Sequence, residues 1–478
     1  MPSNFNNPLF NRVAGNESVD ESELFGDEVQ ETVPEFPTEE PEQAPEEPVE
    51  PTPSDSDNAE DGFVPDTSPE EEVVVEAATT APAGYDAATD VVDTSNDVDN
   101  LVDRQVAVEN YRGIIKHFGL TPGIGAAIRT GLESIHCKLG HHNVIPSLES
   151  IESEESGVTE AADRRLEDSS KMLNEAAIQG RFDLKEASDN QARTAKAFAD
   201  ESIARADILL SRLPKLDEDA VATVKVPNPT PLSVNGVFVG DDPRHQDIVE
   251  DTIHEVFEKI LKPAPTLIKD AADVLRRCKD YEDLIELSKD LQKVGAELPS
   301  ITGRTGQTED RIGRDVCAIR TQSMMGESFV IQRRAVSLAT GDFASVGKTF
   351  LSTFETCLIT SEASGEEINV SAPPKDVLKE LLGYLVKSCE NIIRLTETSI
   401  IDDILEATDY SVANNELPDM ECAHQLDMIT DTAMSFTRLS GSITAYTIRT
   451  VSASLDYLTA CVEALEQATA QIAAQEGE

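Results

Sequence analysis

The chain has 478 residues, with 39 basic against 91 acidic side chains and a formal net charge of −52 at pH 7. That length allows two or three domains of roughly 100–200 residues each, and that charge argues against nucleic acid as a simple electrostatic ligand, since Lys and Arg drive phosphate binding by releasing counterions. No stretch approaches the roughly 20 apolar residues of a membrane helix, no basic-then-apolar leader opens the chain, and seven cysteines scattered without a CxxC pair read as reduced thiols.

Residues 1–98 hold Arg12 as their single basic residue, more than two dozen Asp and Glu, and about half of the chain's prolines. Such a segment buries too little apolar surface to offset its ordering entropy, and its charges repel one another. A disordered acidic arm is expected there, carrying about half of the net charge. Beyond it the chain is rich in Leu, Ile, Val and Ala, with no Trp. Cores built from these residues are aliphatic and favour helix-on-helix packing.

Residues 99–145 read as a helical hairpin. Val102, Val106, Ile114, Ile115 and Phe118 fit an amphipathic stripe from Leu101 to Phe118, and Gly119 ends it. Thr121-Pro122 then sets a capping hydroxyl before a proline at the first helical position, and the second helix runs through Ile124, Ile128, Leu132 and Ile135. Residues 146–158 form a Ser/Glu-rich linker. The body, 159–478, resumes as helix from Thr159 to Leu213, with a break expected at Gly180. A β-hairpin is expected near 223–240: Asn235-Gly236 supplies a type I′ turn between apolar β-branched residues, and Thr223 to Val226 could add a third strand. Helices then return from Pro243, with Val249, Ile253, Val256, Phe257 and Ile260 on one face. Further helical segments are expected near 264–294, 309–340, 346–361, 374–408 and 421–474. In the last, Ile448, Val451, Leu455, Leu458, Val462 and Leu465 recur at three- and four-residue steps, the pattern of a helix inside a bundle. The expected fold is mainly α: one or more helical bundles with one small β-hairpin, preceded by the disordered acidic arm.

Candidate chemistry is thin. Gly341 to Thr349 resembles a phosphate-binding loop but has five residues between its glycines where four are needed for the backbone N–H groups to converge. His136-Cys137 with His141-His142 lacks a second ligand pair. His254-Glu255-x-x-Glu258 has Glu where a zinc protease motif needs its second His. No catalytic residue, metal or cofactor is assigned. Arg304, Arg311, Arg314, Arg320, Arg333 and Arg334 cluster in a stretch of low acidity. They could form a basic face for DNA or an acidic partner; the alternative is pairing with acidic groups of the same protein.

From Glu109-Asn110-Tyr111 the sequence runs through Gly-Leu-Glu-Ser-Ile at 131–135 to Pro-Ser-Leu-Glu-Ser at 146–150. This resembles the N-terminal region of internal head (prohead core, inner-body) proteins of giant phiKZ-like tailed phages, and the hairpin between helical regions fits their pattern. The resemblance implies a virion structural protein, not an enzyme. It would assemble in the prohead in the host cytoplasm and reside in the head interior, with no membrane involved. Its partners would be other head or core proteins and the phage's prohead protease, with contact to packaged DNA after maturation. It further implies trimming after a glutamate in a small-x-Glu sequence. Ser147-Leu148-Glu149, Ser150-Ile151-Glu152 and Ser153-Glu154-Glu155 make Glu149, Glu152 and Glu155 candidate cleavage sites, which would remove the arm and helix pair as a propeptide. Gly15-Asn16-Glu17, Gly26-Asp27-Glu28 and Ser68-Pro69-Glu70 also match. A polyanionic arm would repel incoming DNA, and its removal would relieve that repulsion. The competing reading is a cellular helical adaptor or scaffold whose acidic arm recruits basic partners; a weaker one is an NTP-dependent enzyme built on Gly341–Thr349.

Overall fold

The structure, a computed structural model, describes residues 74–76, 84–138, 158–277, 284–296, 301, 308–311, 316–335, 355–360, 365–397, 400–413 and 419–476. All of them fall in one unit, Pro69–Glu478. The fold is mainly helical, with small sheets.

In chain order, strand β1 (Val74–Glu76) precedes helices α1 (Tyr85–Phe118), α2 (Pro122–Lys138) and α3 (Val158–Arg212). Strand β2 (Thr223–Val226) and the hairpin β3 (Ser233–Val234) with β4 (Val237–Phe238) lead to α4 (Pro243–Val256). One π turn, Phe257–Leu261, separates α4 from α5 (Ala264–Arg276), and α6 (Leu284–Ala296) follows. Strands β5 (Thr308–Arg311), β6 (Val316–Arg320), β7 (Ser328–Ala335), β8 (Thr356–Thr360) and β9 (Ile368–Ser371) come next. Helices α7 (Lys375–Glu397), α8 (Ile400–Ala413) and α9 (Asp419–Glu476) complete the described chain.

Helix α9 is the axis of the core. Its 58 residues span about 87 Å at 1.5 Å per residue. It touches α1, α3, α5, α7 and α8 as well as strands β1, β2 and β8. The apolar stripe from Ile448 to Leu465 is buried throughout. A helix surrounded on several sides must also place its polar positions inside, and α9 does so with short hydroxyls that bond back to the preceding turn. Thr432 donates to the Met428 carbonyl at 2.7 Å, Thr447 to Ile443 at 2.7 Å and Thr459 to Leu455 at 2.7 Å. Each hydroxyl is thereby satisfied without a long side chain that would hold neighbouring helices apart.

The expected ends of the first helix pair are met. Gly119 closes α1 at φ 71°, its N–H donating to the Ile115 carbonyl, and Thr121 Oγ1 accepts from the Ile124 N–H at 3.3 Å. The hairpin turn has Asn235 at φ 52° and Gly236 at φ 77°, the left-handed pair that a type I′ turn requires.

Four expectations change. First, α1 begins at Tyr85, so the boundary expected at residue 98 falls inside a helix. Ala88, Val91, Ser95 and Val98 lie one helical turn apart and are fully buried, while Asp86, Asp90, Asp93 and Asp97 point to solvent. Second, α3 runs unbroken through Gly180. A Cβ there would sit 2.9 Å from Val98 Cγ2, so this glycine admits α1 rather than stopping α3. Third, 309–340 and 346–361 are not helical where described: β5, β6, β7 and β8 pair in that order as an antiparallel sheet. Fourth, Thr223–Val226 is a strand but does not join the hairpin. It is the centre of a three-stranded sheet, antiparallel to β9 (Val226 opposite Ile368) and parallel to β1 (Val74 opposite Thr223).

Two apolar clusters result. The main one joins the N-terminal half of α1 to α3 through α9. A satellite at the other end of α1 packs Val108 and Ile115 with Ile128, Leu132, Leu166 and Leu173 of α2 and α3.

Candidate functional site

Of the six clustered arginines, Arg320 and Arg333 have side chains among the described residues. Arg304 and Arg314 lie outside the described residues; Arg311 ends β5 and Arg334 lies on β7, opposite Cys317 of β6. Arg320 lays its guanidinium over the Phe329 ring, 3.7 Å from the centroid, and donates to Ser323 Oγ at 3.4 Å. Arg333 is a correction to the expected surface: it is buried, and its Nη1 meets Glu355 Oε2 at 2.7 Å. Its backbone N–H also donates to the Glu355 carbonyl at 2.8 Å, so the pair is held at both main chain and side chain.

That ion pair belongs to a larger buried group. Arg438 of α9 meets Asp99 Oδ2 of α1 at 2.7 Å, and the Asp99 side chain is 1% exposed. The field of Arg438 also reaches Glu355 and Cys357 of the four-stranded sheet. Arg438 thus pairs with Asp99 and also acts, with Arg333, on Glu355. Burial raises the Glu355 carboxyl above its ordinary value, with Arg333 and Arg438 opposing. Buried charges are tolerated only when paired and hydrogen-bonded, so Asp99–Arg438 ties α1 to α9 and Arg333 ties β7 to Glu355, just before β8.

A second tie involves Glu327, which sits at φ 54°. Its carboxylate accepts from the Asn235 N–H at 2.9 Å and the Gly236 N–H at 2.6 Å, capping the β3–β4 turn. Next to it, the Met325 carbonyl accepts from the Tyr446 hydroxyl of α9 at 3.0 Å. The turn between β6 and β7 is therefore clamped between the hairpin and the central helix.

Nucleophiles are not activated at any of the described thiols: burial pushes Cys357, Cys389 and Cys461 up to about 12, which keeps them protonated at neutral pH. Glu255 and Glu258, singled out beside His254, are engaged by Lys259 and Lys262 at 2.8 Å each. Two carboxylate triads could in principle hold a cation: Asp103 with Asp427 and Asp431, and Asp247 with Glu250 and Asp251. Both consist of acids alone in a strongly acidic chain, which by itself defines no metal site. Gly341–Thr349, His141, His142, Glu149, Glu152 and Glu155 lie outside the described residues, and so do the side chains of His136 and Cys137. The Asp99–Arg438 pair and the Asp103 triad were not readable from the sequence, because their members lie more than 300 residues apart across α1 and α9.

A family model of phiKZ-like phage internal head proteins matches residues 70–460. The chain belongs to that family. The match runs from just before β1 to within α9, and so covers the whole described architecture except the end of the last helix. No curated protein and no solved structure matches the chain. Membership makes the protein a structural component of the phage, housed inside the virion head and associated with other head components. It also sets aside the reading of a cellular adaptor. Among the described residues, no helix is long and apolar enough to cross a membrane.

Proposed function

We propose that this internal head protein assembles with the prohead core as a non-catalytic building block and is then trimmed by the prohead protease. The family match over residues 70–460 carries the reading. The packing is consistent with a building block: polar groups tie elements together at Asp99–Arg438 and at Glu327.

Trimming is supported by short sequences at the start of the match and within it. Small-x-Glu sequences end at Glu149, Glu152 and Glu155 between α2 and α3, and another, Ser68-Pro69-Glu70, ends where the family match begins. Charge supplies a reason for trimming. Residues 1–70 hold 20 acidic side chains and Arg12 as their only base. Close-packed DNA is repelled by such a segment, and its loss leaves a body better suited to lie against the packaged genome. The arginines at 304–334 are candidates for that contact where their side chains are not engaged within the protein.

Mass spectrometry of the protein from purified particles tests this. The expected N-terminus follows a glutamate of a small-x-Glu sequence; an intact Met1 or Pro2 terminus would exclude trimming.

A further inference from the structure

We infer that the segment Val74–Lys138 is a permanently docked part of the body, so that a cut between α2 and α3 nicks the protein without releasing its N-terminal piece. The trimming proposed above supplies the occasion for such a cut; the docking rests on packing alone.

The groove between α3 and α9 is shaped for α1. At Gly441 of α9, a Cβ would meet Val92 Cγ2 at 2.8 Å and the Ala88 carbonyl oxygen at 2.9 Å. At Gly180 of α3, it would meet Val98 Cγ2 at 2.9 Å. One glycine on each wall of the groove thus lets α1 approach at a distance no other residue permits. The face inserted there is fully buried at Ala88, Val91, Ser95 and Val98. Asp99 pairs with Arg438 of α9, whose charge would lose that partner inside the body if the segment departed.

Two further attachments flank the groove. Upstream, β1 supplies an outer strand of the three-stranded sheet, with three residues paired to β2. Downstream, Arg112 of α1 meets Asp163 of α3 at 3.0 Å and Glu167 at 3.4 Å, alongside Glu109 of its own helix. Release would therefore break a strand pairing, a buried helix seam and two sets of ion pairs together. That is the packing of a core element, not of a detachable leader.

The consequence concerns charge. Residues 71–155 hold 15 acidic and five basic side chains, against 20 and one in residues 1–70. Most of the negative charge that trimming can shed lies upstream of β1. A cut near Glu70 sheds it with no loss of core, whereas a cut at Glu149 to Glu155 leaves β1, α1 and α2 in place.

The test places the recognition sequence of a site-specific protease within residues 146–157 of the full chain. After cutting, size-exclusion chromatography in native buffer should show both fragments eluting together at the uncut position, and parting only in urea. Separate elution in native buffer would overturn the inference. The unaltered full chain offers a second readout by hydrogen exchange. Amides of residues 88–110 should exchange within tenfold of those of α9, and exchange more than a hundredfold faster would overturn it. An intact Met1 terminus in particles would refute trimming and leave these results untouched; separation of the cut fragments would refute docking and leave trimming standing.

Discussion

At the scale of single residues, the arrangement depends on charges taken out of water in balanced sets. Arg438 cannot lose Asp99 or be lost itself without stranding a charge. Arg438→Met is expected to cost about 3–5 kcal/mol, as breaking a buried pair does. The double variant Asp99→Leu with Arg438→Met should recover much of that loss, and urea unfolding of the three proteins measures both. Surface pairs behave differently. Arg212 grips Glu466 through two contacts, Nε to Oε1 at 2.8 Å and Nη2 to Oε2 at 2.5 Å, and that bond holds the Glu466 carboxyl below its ordinary 4.5. A carboxyl whose folded value is depressed lends stability above its unfolded value, and that stability is lost as pH falls through the folded one. Glu466→Gln should therefore lower the melting temperature slightly at pH 7 and leave it unchanged at pH 2, with the two profiles converging below 4.5. A pH series of thermal melts shows whether they do.

At the scale of elements, small residues matter as much as large ones. Alanine is the better helix former by about 1 kcal/mol over glycine, so Gly→Ala in an exposed stretch of α9 would stabilise. At Gly441 the new methyl group would press on the Ala88 carbonyl, which is backbone and cannot rotate away. Gly441→Ala is expected to destabilise by about 1–3 kcal/mol, the usual cost of overpacking. Gly383 of α7 has open space around it, and Gly383→Ala is the control expected to raise the melting temperature. The same reasoning explains Gly180: the residue type that ends many helices stands here mid-helix because a neighbour needs the room. Strands tell a related story. β7, Ser328 to Ala335, carries adjacent arginines and no clean alternation, and β5, Thr-Glu-Asp-Arg, is wholly polar. Each is a strand because of its neighbours in the sheet, not because of its own pattern.

At the scale of the whole molecule, the N-terminal region divides near residue 70. The compact unit starts at Pro69, the family match at 70 and the first paired strand at Val74. Deleting residues 1–70 should leave the melting temperature within about 2 °C of the full chain, since no described contact is removed. Deleting residues 1–118 should abolish cooperative unfolding, because it opens the α3–α9 groove and strands Arg438. Circular dichroism melts of the two truncations distinguish these outcomes. If the docking inferred above holds, a cut at Glu70 or at Glu149 to Glu155 leaves the core whole, and the position of the cut sets how much negative charge the protein keeps.

What the sequence by itself determined is whatever depends on near neighbours along the chain. The stripes from Ile448 to Leu465 and around Ile253, the Thr121-Pro122 cap, the Gly119 stop and the Asn235-Gly236 turn are each complete within a few residues, and each is found as expected. The family resemblance likewise rested on short runs between Glu109 and Ser150. The start of α1 was masked because its buried face is Ala, Val and Ser, diluted by four exposed aspartates that give the stretch the composition of a disordered arm. Only the tertiary structure decided that this face is a core face, that Arg333 is buried against Glu355, and that residues 308–360 contribute strands. Those outcomes depend on partners up to 339 residues away, as between Asp99 and Arg438. Burial and strand pairing are set by what packs from the other side, which no local pattern records.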